Sequence, residues 1–116
     1  MTKITISVRT HFKIEDIENL MYSMATGSSY WSDNVQDLGY ESAVKQITRE
    51  GKTWGIYDTE DENQLMDLNL AAIKKGLTLM AKKEPSHFAD ILNENADQVT
   101  SDVLLQLALF GEVKYS

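Results

Sequence analysis

The chain contains no cysteine. That excludes disulfides, thiolate metal ligands and thiol catalysis, and it favours a cytoplasmic setting. Proline occurs once, at Pro85, and glycine six times in 116 residues, so no segment reads as a linker or low-complexity tract. The two histidines, His11 and His87, are far apart and form no metal-spaced pair. "DTEDEN" lacks the glycine and closing glutamate of an EF-hand loop. No metal or cofactor is expected. There is no phosphate-binding glycine loop and no nucleophile elbow. Carboxylate pairs are unavoidable in an acidic chain, so they carry no catalytic signal here. A non-enzymatic protein is the expectation. No apolar run approaches the roughly 20 residues that cross a bilayer. The opening "MTKITISVRT" alternates in polarity and lacks the continuous apolar core of a signal peptide.

Bases are scarce as well. Eleven Lys and Arg stand against 18 Asp and Glu, for a formal net charge of -7. Direct binding to a phosphate backbone depends on Lys and Arg displacing counterions, so nucleic acid is a poor partner. A basic protein surface, including the nucleic-acid site of another protein, is a better one. Acidity also serves solubility alone. The acids are clustered. "DTEDENQLMD" holds Asp58, Glu60, Asp61, Glu62 and Asp67 without a base, and Glu84 to Asp102 carries Asp97 among further acids. These six named carboxylates are the candidate partner-binding residues, and the two segments form one face only if the fold joins them.

What is present reads as one α+β domain: hydrophobic residues are 42% and charged residues 25% of a chain of ordinary domain length. "KITISVR" over 3–9 alternates strictly, the pattern of a half-buried strand. Ile14, Ile17, Leu20, Met21 and Met24 recur at helical spacing, with Gly27 placed as a cap. Residues 42–58, "SAVKQITREGKTWGIYD", favour two strands about a turn at Glu50-Gly51, although Ala43, Val44 and Ile47 also fit a short helix over 41–49. "QLMDL" adds an edge strand. Asn69 caps the next helix, where Gly76 marks close packing. Pro85 opens another, with Phe88, Ile91 and Leu92 inward. Thr100 or Ser101 caps the last, Asp102 falls in its first turn and Gly111 ends it. "EVKY" returns as a strand. The expected architecture is a small antiparallel sheet packed against about four helices.

The last helix raises a question of its own. Val103, Leu104, Leu105, Leu107, Ala108, Leu109 and Phe110 leave it almost no polar face, yet Gln106 sits among them. Such a helix is buried, or divided between the core and a contact in a homo-oligomer. Gln106 is then a satisfied structural amide, an oligomer contact or a ligand group. Tyr30, Trp31 and Trp54 are candidate stacking residues, weighed against ordinary core aromatics. An anionic ligand stacking there requires a base nearby, with Lys45, Arg49 and Lys52 the nearest in sequence.

Three blocks carry a resemblance: "GSSYW", "IKKGLTLMAKKEPSHFADIL" and "ADQVTSDVLLQLALFGEVKY". In this order they resemble a family of small proteins carried by phages, prophages and other mobile elements. That family has a Gly-x-x-Tyr-Trp segment and a C-terminal Leu-Gln-x-Ala-Leu-Phe-Gly-Glu segment. The chain ends in Ser116 where the family has glycine, and residues 32–52 carry no family mark. No activity comes with the resemblance, so no catalytic residue is carried over. It implies an accessory protein working in a bacterial host cytoplasm, and such proteins often antagonise host defence. The leading expectation is an anti-CRISPR-type inhibitor whose acidic surface binds a host protein or ribonucleoprotein complex. The alternatives are a protein that binds or sequesters a nucleotide signal, and a virion or replication accessory.

Overall fold

The computed structural model describes residues 2–6 and 9–116. The elements in chain order are α1 (Ile14–Gly27), β1 (Ser32–Asp33), a 3-10 turn (Val35–Gly39), α2 (Glu41–Thr48), β2 (Trp54–Asp58), β3 (Gln64–Leu68), α3 (Leu70–Lys83), α4 (Pro85–Leu92) and α5 (Gln98–Phe110). The strands form one antiparallel sheet in the order β1-β2-β3. The fold is α+β, with five α-helices among the described residues rather than about four.

The additional helix is α2, where two strands were favoured. Its Ala43, Val44, Ile47 and Thr48 are buried on one side. The Arg49 guanidinium that follows donates twice to Glu18 of α1, at 3.0 and 2.9 Å, and the Thr48 hydroxyl donates to the same carboxylate at 2.7 Å. Packing against α1 therefore decides a segment whose local pattern fits both structures. The turn at Gly51 stays a turn, with φ 70, and the strand after it is β2. Ile56 faces the core and Tyr57 faces out, as alternation predicts.

Other boundaries move for identifiable reasons. Residues 2–6 and 9–13 contain no strand, Ile4 is 90% exposed, and Ser7 and Val8 lie outside the described residues. A half-buried strand needs a neighbour, and no described strand lies beside this segment. Gly27 is the last residue of α1, not its cap. It is small because a Cβ there would lie 2.5 Å from the Gln98 carbonyl oxygen. Gly76 does mark close packing, since its Cβ would meet the Ala108 nitrogen at 3.0 Å. Asn69 caps α3 by accepting from the Ala72 amide, and Pro85 opens α4, as expected. Leu92 is half exposed rather than inward.

α5 begins earlier than expected. Asp97, and neither Thr100 nor Ser101, is its cap, accepting from the Thr100 amide at 2.9 Å. Asp102 consequently lies beyond the first turn, inside the core. All residues from Thr100 to Ala108 are buried, so this stretch of α5 is wrapped by its own chain. Glu112 to Tyr115 form no strand. They are held by something else.

Candidate functional site

Gln106 is fully buried, and its amide holds the C-terminal segment. Its Oε1 accepts the backbone N–H groups of Lys114 and Tyr115, both at 2.8 Å, and its Nε2 donates to the Tyr115 carbonyl at 3.0 Å. One side chain thus replaces the neighbouring strand that "EVKY" would otherwise require.

One turn earlier on α5, Asp102 is 7% exposed and gathers four donors. Oδ1 accepts from Ser28 Oγ at 2.8 Å and Trp31 Nε1 at 2.7 Å; Oδ2 accepts from Tyr30 Oη at 2.6 Å and Gln106 Nε2 at 3.2 Å. A carboxylate offers about four lone-pair sites, and here each is taken. Ser28, Tyr30 and Trp31 reach it from the turn that follows α1, so the "GSSYW" segment is tied to α5 by one charge.

A second buried carboxylate, Asp58, closes the other end of the same region. It is 0% exposed and accepts from Tyr115 Oη at 2.8 Å, from the Glu60 amide at 3.0 Å and from Lys114 Nζ at 3.4 Å. Between the two carboxylates lie stacked rings: Trp31 and Tyr115 have centroids 5.7 Å apart, and Phe110 lies 5.2 Å from Trp31. Lys114 Nζ stands 4.5 Å from the Phe110 centroid, a cation–π contact. The buried members of the two acidic segments therefore do meet, through Trp31 and Tyr115.

Burial, and then the hydrogen bond to Asp102, push the Tyr30 phenol up to about 12. Tyr115 is also raised, by burial and then by Asp58. Both phenols stay protonated donors at neutral pH. Neither is a base, and Asp102 has no free lone pair for a substrate proton. A raised phenol stabilises the fold fully below its unfolded pKa of about 10, and that stability is lost as pH rises through the folded value. Ultraviolet difference titration of the intact protein is therefore expected to show Tyr30 ionising near the end of the range, with Tyr115 also later than a free phenol. Tyr30→Phe is expected to remove that step and to flatten the alkaline decline in stability.

The candidate residues divide sharply. Asp58 is unavailable to a partner because it is buried and engaged. Asp97 is spent as a helix cap, and the Thr100 amide holds its carboxyl below the usual range. Glu60, Asp61, Glu62 and Asp67 are exposed. Trp31 is 0% exposed, so it is a core ring and not a stacking platform. Trp54 is half-buried against the core, and Tyr30 is 49% exposed but tethered through its hydroxyl. Lys45, Arg49 and Lys52 pair with Glu41, Glu18 and Glu50. They do not assemble a site for an anion, because each already faces a carboxylate.

Sequence reading missed Asp102, Ser28, Lys114 and Tyr115. The signal available was an acid and an amide four apart inside an apolar helix, a spacing that places both on one face. Among the described residues, no three His, Cys, Asp or Glu side chains gather as metal ligands, and no helix is long and apolar enough to cross a membrane. In comparisons with protein-family models, curated proteins and solved structures, the chain matches none.

Proposed function

We propose that this chain works by binding, with the tip of its β2–β3 hairpin docking on a basic surface of a nucleic-acid-handling host protein or ribonucleoprotein. The tip is the observation that carries this reading. Glu60, Asp61 and Glu62 are exposed together on a five-residue connection between paired strands. Glu62 and Asn63 hold φ of 53 and 56. The left-handed region is familiar for asparagine but costs a glutamate about 1 kcal/mol, so the acid is kept there against local preference. Lys114 is the one described base in contact, at 3.5 Å from Asp61. The adjoining outward face adds Asp33, Tyr57, Leu65 and Asp67, with Tyr57 opposite Leu65. An apolar pair ringed by acids suits a basic protein surface better than a phosphate backbone.

In this reading the chain is a host-defence antagonist of the anti-CRISPR type, active in the bacterial cytoplasm, and it takes no cofactor. It competes with nucleic acid for a Lys- and Arg-lined groove. The most buried carboxylates are committed to holding the fold together, which supports a binding role over acid–base chemistry.

The test is competition against nucleic acid on purified effectors, across a salt series. Exposed charges are screened over about 8 Å at physiological ionic strength, so affinity is expected to fall steeply with salt. The triple variant Glu60→Lys, Asp61→Lys, Glu62→Lys is expected to slow association at least about tenfold while leaving the circular dichroism spectrum unchanged. Affinity indifferent to both salt and charge reversal sinks the proposal. Reversing Asp58 is not a clean test, because its burial makes any loss a folding effect.

A further inference from the structure

One polar group is left over by the hydrogen-bond networks. The Ser101 hydroxyl is buried and, among the described residues, is the one such side-chain oxygen or nitrogen without a partner. A helical serine commonly returns its hydroxyl to the carbonyl four residues back. In α5 that carbonyl, of Asp97, receives the Ser101 amide at 3.1 Å but no bond from the hydroxyl. An unpartnered buried hydroxyl lowers stability, so its place calls for another explanation than packing.

Ser101 lines a cleft of about 250 Å³ between α1 and the connection from α4 to α5. A single water needs only about 15 Å³. The buried Leu20, Ile91 and Ser101 form the floor, while Asp16, Asn19 and Glu94 stand around the more exposed rim. No Lys, Arg or His lines the cleft, and neither Asp16 nor Glu94 has an ion-pair partner among the described residues. Two unpaired carboxylates above an apolar floor, with an unpartnered hydroxyl buried at that floor, favour a cation that carries a short hydrocarbon chain. Too few ligand side chains gather here for a bare metal ion.

We propose that this cleft binds a primary alkylammonium group, the chemistry of a lysine side chain or of a small free diamine. An ammonium carries three donors and no acceptor. Ser101 takes one once its buried hydroxyl turns into the cleft, Asp16 and Glu94 take the others, and Leu20 and Ile91 receive the alkyl chain. The site is independent of the hairpin reading.

The experiment is an amide-resolved NMR titration of the whole chain with n-butylammonium, and with n-butanol as the neutral control. Saturable shifts centred on Leu20, Ile91 and Ser101 are expected for the amine and absent for the alcohol. Ser101→Ala is expected to weaken binding about tenfold, and Asp16→Asn with Glu94→Gln to abolish it. Ser101→Ala is also expected to melt at or above the wild-type temperature, since it removes an unpartnered hydroxyl. Cadaverine and Nα-acetyl-lysine amide separate the two sources: whichever binds tighter, with the same Ser101 dependence, names the natural form. No saturation, equal binding of n-butanol, or unchanged affinity in Ser101→Ala overturns the proposal. A lower melting temperature for Ser101→Ala also overturns it, because the hydroxyl would then be satisfied within the fold.

Discussion

Asp102→Ala is expected to destabilise the protein by about 4 kcal/mol, measured as a shift in the urea midpoint at unchanged m value. The carboxylate accepts from Ser28, Tyr30, Trp31 and Gln106. Hydrogen bonds to a charged group contribute about 1.5–3 kcal/mol each, and a buried donor left without a partner costs about 1–3 kcal/mol. Simple addition overshoots, because Tyr30 is 49% exposed and can turn to water. Ser28 and Trp31 cannot do so, since both are 0% exposed. Asp102→Asn is the sharper probe. It keeps the size and one oxygen but presents a donor to donors already in place, so about half the loss is expected. Total stability of a domain this size is about 5–15 kcal/mol, so the alanine variant forfeits a large share of it. A loss under about 1 kcal/mol for Asp102→Ala would show that the four donors find other partners, and that the α1–α5 connection does not depend on this charge.

Trp31→Ala is expected to cost about as much, roughly 3–5 kcal/mol, by a different route. The ring fills the space between the two buried carboxylates and packs on both Phe110 and Tyr115. Deleting it leaves a cavity and takes away the surface on which Tyr115 rests. Trp31→Phe separates the two contributions. It retains an aromatic contact and loses only bulk and the N–H donated to Asp102, so about half the loss is expected. If the two residues act as one unit, Asp102→Ala with Trp31→Ala falls short of additivity by 0.5–3 kcal/mol in a double-mutant cycle. Intrinsic fluorescence gives a second check. Trp31 is fully buried while Trp54 is half-buried, so Trp31→Phe is expected to leave a spectrum shifted towards that of exposed tryptophan.

One of these two residues is misplaced by the sequence pattern, which puts Asp102 in the first turn of α5. For Trp31 the sequence leaves a core ring and a stacking group both open, and the structure makes it a core ring. The misplacement of Asp102 has one source. The start of α5 was placed at Thr100 or Ser101, three or four residues late, because hydroxyl residues and Asp97 are equally good caps on paper. Moving the cap to Asp97 carries Asp102 from the first turn into the core. Only then does a single buried carboxylate become available to "GSSYW". The hairpin tip was legible in a different way. "DTEDEN" announced an exposed acidic turn, and Glu60, Asp61 and Glu62 are exposed there. Asp58, one residue inside the strand, is buried by the alternation that defines the strand.

Periodicity and punctuation in the sequence alone determined the α+β class, helices α1 and α3 to α5, strands β2 and β3, the Asn69 cap, the Pro85 start and the stop at Gly111. Each depends on residues within a turn or two of one another, where local geometry acts. Tertiary structure alone decided that residues 41–48 are helical, that residues 3–6 form no strand, and that Gln106 substitutes for a strand beside Lys114 and Tyr115. It also decided which acids are free and which are spent. Those outcomes depend on groups far apart in the chain, such as Ser28 and Asp102, 74 positions apart. A buried charge is tolerated only where enough donors converge on it, and that convergence exists only once the chain has folded.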